Sequence, residues 1–252
     1  MQNRNRFRAK WLKYHKGYER RAYRQFRGVF KEWSNNIDFN NLTALNYESV
    51  IRNASPRDTL LQAYANTYIN IGLLHGKRIG TELNKEPEQK FFDLGDFRSS
   101  FMDFIYTWLN NNKVNDLRSI PATWQQTINK LIAKRLEEGA TISEIATEIQ
   151  KLVNRPRFYR WQAMRIARTE TTSAANLSTL EAAKKYGFLT DKEWISANDA
   201  RTRRIPQDKY DHAIMNGVKV DLYEEFTVPS AEAFPDKLQY PGDPKGRPSN
   251  II

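Results

Sequence analysis

Three glycines spaced four residues apart, Gly72, Gly76 and Gly80, interrupt the stretch SPRDTLLQAYANTYINIGLLHGKRIGTELNK, which is otherwise composed for a helix. Each glycine in a helix interior costs about 1 kcal/mol relative to alanine. Residues four apart share a helix face, so the three together predict a helix-packing line that another helix approaches closely. Ser55 and Pro56 mark the start of this helix, with Pro56 at its first position and Asp58 suited to the positive end of the dipole. His75 lies beside the glycine line; a lone histidine there is expected to be packed or to cap.

Helical patterns continue on both sides. FRSSFMDFIYTWLNNN and VNDLRSIPATWQQTINKLIAKRLEEG read as two helices, the second entered near Ser119 to Pro121 and ended by Gly139. TISEIATEIQKLV opens with Thr141 and Glu144 at capping-box spacing. After a break at Asn154 to Pro156, a long helix is predicted through Gly187. Beyond it FLTDKEWISAND, the alternating VKVDLYEEFTV and the turn-rich YPGDPKGRPSN predict short strands and turns lying against that helix. The fold class expected is α+β: a mostly α-helical N-terminal region followed by a small C-terminal α+β domain, made of a long helix with short antiparallel strands. Three units are expected, residues 1–34, 35–154 and 155–252.

The net charge of +11 belongs to one end of the chain. Residues 1–27 carry ten cations, Arg4, Arg6, Arg8, Lys10, Lys13, Lys16, Arg20, Arg21, Arg24 and Arg27, against Glu19 alone. Phe7, Trp11, Tyr14, Tyr18, Ala22 and Phe26 recur among them at steps of three and four, continued by Val29, Phe30 and Trp33. That is an amphipathic basic arm, and it has three readings. The stripe docks on the protein's own core, or the cations neutralise the phosphates of duplex DNA without sequence preference, or the helix lies on a membrane surface. The arm is expected to be dispensable for the fold of residues 155–252. No apolar run approaches a membrane span, and the N-terminus lacks the apolar middle of a signal peptide. With no Cys, a disulfide scaffold and a thiolate metal site are excluded. The expectation is a soluble protein made inside the cell, with no membrane partner.

The helix from Arg165 to Gly187 is crowded in its middle with Arg165, Arg168, Glu170, Thr171, Thr172 and Asn176. Arg165, Arg168, Thr172 and Asn176 share a face at 100° per residue, which predicts a polar network tying down the turns that hold Asp199, Arg201 and Asp243. A catalytic reading competes with it. Asp199, Asp208, Asp211 and His212 are candidates for a divalent ion, with Glu170 as a base, which would make a nuclease. The zincin, Walker and nucleophile-elbow motifs are all missing. The Arg and Glu of an ADP-ribosyltransferase-like toxin find no further support. No enzyme activity, cofactor or metal is expected.

The motif IARTE with Asn176 following on the same helix is succeeded by W-I-S-A-x-D-x-R-T-R, D-H-A-I-M-N-G, F-x-V-P and Y-P-G-D-P-x-G. In order and spacing, residues 155–252 resemble the C-terminal domain of phage Mu F-like minor head proteins, the head morphogenesis family. The matching positions are Arg168, Glu170 and Asn176, then Trp194, Asp199 and Arg201, then His212 and Gly217, then Pro241, Gly242, Asp243 and Pro244. The segment between Arg203 and His212 is longer than in many relatives, and the Cys-x-Cys ending of many is missing. The resemblance implies a minor capsid protein of a tailed bacteriophage, made in the host cytoplasm and placed in the virion, inside the head near the portal. Its implied partners are the portal protein, with the major capsid or scaffolding protein as further candidates, and DNA during head assembly, packaging or ejection. Residues 35–154 would make the portal or head-protein contact through apolar and small-residue surfaces, the glycine line included. Two alternatives are a metal-dependent DNA-processing enzyme and a DNA-binding accessory protein unrelated to virions.

Overall fold

The aromatic stripe of the N-terminal segment repeats at helical spacing for more than seven turns, and that length of apolar face needs an equally long partner. The computed structural model describes residues 2–41, 46–84, 92–113, 116–153, 156–187, 191–196, 202–232 and 235–241. In it, helix α1 (Gln2–Asn36) lies along α7 (Pro156–Tyr186) and α3 (Arg57–Leu83). Between them run α2 (Tyr47–Asn53), α4 (Leu94–Lys113), α5 (Asp116–Glu137) and α6 (Ile142–Val153). Tyr18, Ala22, Phe26, Val29, Phe30 and Trp33 of α1 are buried in one core with Tyr64, Tyr68 and Ile71 of α3 and Ala167, Ala174 and Ala175 of α7. The segment is therefore a core helix, not an arm. Burying a large apolar side chain contributes about 1.5–3 kcal/mol, so the body depends on α1.

The glycine line is realised in a different way from a simple helix-on-helix approach. A Cβ on Gly72 would lie 2.3 Å from Phe101, one on Gly76 2.2 Å from Phe97, and one on Gly80 2.3 Å from Phe92. The missing side chains thus make notches for aromatic rings on and just before α4. α7 meets the same line at its edge, where the Ser178 hydroxyl donates to the Gly72 carbonyl at 2.6 Å. All three glycines are buried within the chain, so they offer no surface to a portal protein.

Helix ends follow local chemistry in part. Thr141 and Glu144 form the reciprocal capping box, with the Thr141 amide 2.8 Å from the Glu144 carboxylate and the Glu144 amide 3.3 Å from the Thr141 hydroxyl. Gly187 follows α7 at φ 77°, a left-handed position that glycine tolerates without penalty. Two expected starts move. Pro56 is the cap of α3 and not its first residue, and α5 begins at Asp116, five residues before Pro121.

The C-terminal part is a pair of two-stranded antiparallel ladders. β1 (Asp191–Glu193) pairs with β2 (Lys219–Asp221), Lys192 opposite Val220, and β3 (Phe226–Val228) pairs with β4 (Asp236–Leu238), Thr227 opposite Lys237. These strands enclose a second small core of Trp194, Tyr210, Met215, Phe226, Val228 and Leu238. The fold is α+β, mostly helical, with short antiparallel strands near the C-terminus. The expected unit boundary at 154/155 lies outside the described residues, and the core does not divide there: α7 is packed with the helices before it, and Leu222 and Tyr240 join that same core.

Candidate nucleic-acid interface

The face of α1 opposite its buried stripe carries the cations. At 100° per residue, Lys13, Lys16, Arg20, Arg24, Arg27 and Lys31 fall within an arc of about 80°, and all six are exposed. With a rise of 1.5 Å per residue the row is about 27 Å long. Lys31 lies beyond the densely basic stretch of residues 1–27 that marks the other five, but the spacing of three and four residues that links them also reaches it.

The remaining candidates on this helix are placed differently. Arg21 is exposed on the flank of the row, and Lys10 turns toward the far end of α3, with its ammonium 3.3 Å from the Glu82 carboxylate. Arg8 is half-buried, and the side chains of Arg4 and Arg6 lie outside those described. The Trp11 ring stacks on His15, centroids 4.2 Å apart. No helix among the described residues is long and apolar enough to cross a membrane.

His15 had drawn no notice in the sequence, yet it sits at the seam of α1 and α7. Its Nε2 is 2.9 Å from the Thr172 hydroxyl and its Nδ1 is 3.3 Å from the Glu19 carboxylate. Arg168 reaches the same carboxylate at 3.8 Å. Glu170 is buried and accepts a hydrogen bond from Tyr68 of α3 at 2.7 Å. Glu170 and Thr172 therefore face the helical body, while Arg168 lies at its edge, half in solvent. Asn176 reaches the C-terminal part, its amide donating to the Pro241 carbonyl at 2.8 Å. Arg165 packs its guanidinium over the Trp161 ring, 4.9 Å from the centroid, and partial burial pulls its pKa below the usual value. Asp199, Arg201, Gly242 and Asp243 lie outside the described residues.

Under α1, the Tyr18 hydroxyl meets His75 Nδ1 at 3.3 Å and accepts from Arg78. Burial lowers His75 to about 4 and raises Tyr18, Arg78 offsetting part of the latter. In the C-terminal part, Trp194 is the hub. Its indole N–H donates to the Ser196 hydroxyl at 3.2 Å, its carbonyl accepts from Gly217 at 2.7 Å, and its ring meets the His212 edge. The Ser196 hydroxyl in turn donates to the His212 carbonyl. Gly217 has φ 90°, which explains glycine there. Burial lowers His212 to about 4. Asp211 accepts backbone N–H groups from Ala213 and Ile214 at 3.0 Å each, which hold its carboxyl below the usual range. Trp194, Gly217 and Asp211 thus hold a turn together, and among the described residues no three His, Asp or Glu side chains converge as a metal site.

No family model matches the chain, and neither a curated protein nor a solved structure does.

Proposed function

We propose that the chain is a minor head protein of a tailed bacteriophage that binds duplex DNA without sequence preference through the outer face of α1. The observation that carries the DNA contact is the row of six exposed cations on a helix whose other face is locked into the core. Lys and Arg at such spacing neutralise phosphates and release counterions, and phosphate contacts carry no base information. The order and spacing of the motifs in residues 155–252 support the place in the virion, near the portal. The portal contact is assigned to residues 35–154, where Tyr106 of α4 and Leu136 of α5 are exposed apolar side chains.

A salt titration of duplex binding tests the contact. With about five cations engaged, log affinity falls against log salt with a slope near −4 to −5, at roughly −0.9 per contact. Changing Lys13, Arg20, Arg24 and Arg27 together to Gln is expected to flatten the slope to between about −1 and −2. An unchanged slope moves the contact elsewhere. Mass spectrometry of purified virions tests the location, and particles without the chain would sink it.

A further inference from the structure

Trp161 is a large aromatic side chain left in the open, 58% exposed on the N-terminal half of α7. One of its faces is covered by the Arg165 guanidinium. Arg165 has no carboxylate partner among the described residues, so its charge is committed to the ring and to whatever approaches the ring. Arg160, beside Trp161, is exposed, and Arg168, two turns further along, has half of its side chain in solvent. A ring backed by a cation and flanked by arginines suits a flat, electron-rich partner that also carries an anion. A nucleotide has both parts.

The placement of this group relative to α1 narrows the choice. His15 meets Thr172, and four residues later Glu19 meets Arg168, four residues earlier on α7. The two helices therefore run antiparallel, and about two turns further along the seam Trp161 comes level with the Arg27 end of the cation row. Bases inside a duplex present only their edges. A stacking ring is useless to them but open to a base that has left its pair.

We propose that Trp161, backed by Arg165, is a stacking site for an unpaired DNA base, so that the surface takes a single strand or a duplex with a frayed end in addition to a closed duplex. This rests on the DNA-binding role proposed above and names a second form of the same ligand. The ring supplies the base platform. Arg160 and Arg168 take the flanking phosphates, and the α1 row holds the continuing backbone.

The experiment compares a short oligothymidine strand with a duplex of equal length, using the full chain, Trp161→Leu and Trp161→Phe, each first shown to melt like the parent. Leucine at this position is expected to weaken single-strand binding about 10-fold, within the range that loss of one stacked base gives, and to leave duplex binding unchanged. Phenylalanine restores most of the loss, and oligothymidine quenches tryptophan fluorescence in the parent more than in the leucine variant. Equal affinities of parent and Trp161→Leu for the single strand overturn the stacking site, as does an equal loss for strand and duplex. A chain that binds duplex but not oligothymidine overturns the stacking site and leaves the α1 contact standing. One that binds neither removes both.

Discussion

The Tyr68 hydroxyl on α3 donates to the buried carboxyl of Glu170 on α7 at 2.7 Å, joining residues 102 positions apart in the chain. Beside it, Arg168 points to solvent and stands 3.8 Å from Glu19. Two neighbours in one motif thus have opposite weights in stability. Tyr68→Phe is expected to cost about 1–3 kcal/mol, the range for taking a hydrogen bond away from a buried polar group. Arg168→Ala is expected to cost less than about 1 kcal/mol, as exposed pairs do. Urea denaturation of the two variants checks both, and an Arg168 variant several kcal/mol weaker would restore the buried network anticipated for that residue.

Glycines on two helices separate propensity from packing. At Gly76 a methyl group would lie 2.2 Å from the buried Phe97 ring and 3.0 Å from the Ser178 hydroxyl, whereas at Gly17 on α1 it would meet nothing within 4 Å. Gly76→Ala is expected to destabilise by about 1–3 kcal/mol through overpacking. Gly17→Ala is expected to stabilise by about 0.5–1 kcal/mol. Thermal melting of both should show shifts of opposite sign.

Deleting residues 1–27 removes Tyr18, Ala22 and Phe26 from the core. At about 1.5–3 kcal/mol for each large side chain, Tyr18 and Phe26 alone account for about 3–6 kcal/mol, which reaches the lower end of the net stability of a domain, about 5–15 kcal/mol. The truncated chain is expected to lose its cooperative melting transition. A truncation that melts like the parent would show that α1 is an appendage after all.

Acid should weaken the fold in a defined window. Burial lowers His75 and His212 from the ordinary 6.5 to about 4, so both are neutral in the folded protein where an unfolded chain would already bind protons. For a base depressed in this way, the stabilising contribution is complete above about pH 6.5 and is lost as pH falls toward about 4. Each histidine is worth up to about 3 kcal/mol across that range. Denaturation midpoints between pH 7 and 4 should decline, and His75→Gln should decline less steeply. Identical slopes for parent and variant would remove His75 from the account.

Periodicity revealed the helices because each needed an apolar face: the α1 stripe, the capping box at Thr141 and Glu144, and the end of α7 at Gly187 are all visible in local order. Partners were less visible. Nothing in a helical pattern says that rings of Phe92, Phe97 and Phe101 fill the notches at Gly72, Gly76 and Gly80, because such pairing is decided by three-dimensional fit. The polar face of α7 was visible too, but its direction depended on Tyr68 and His15, residues distant in sequence whose hydroxyl and ring give no local signal. The Asn176 amide likewise meets the Pro241 carbonyl, 65 residues away in the chain, a partner no local pattern signals. At the candidate interface, Lys31 stands apart from the dense basic stretch of residues 1–27 and is joined to the row only by helical spacing, while the 100° rule separates the row from Lys10 and Arg21.

The two-sidedness of α1 also has a mechanical meaning. A flexible basic tail under tension straightens and then peels away one contact at a time. The cation row instead stands on a rod whose reverse side is seated between two other helices. A pull on the outer face is carried sideways into that seat as shear, shared by Tyr18, Phe26, Phe30 and Trp33 at once. The row can therefore be no more mobile than the body, and detaching it from the body means breaking the fold.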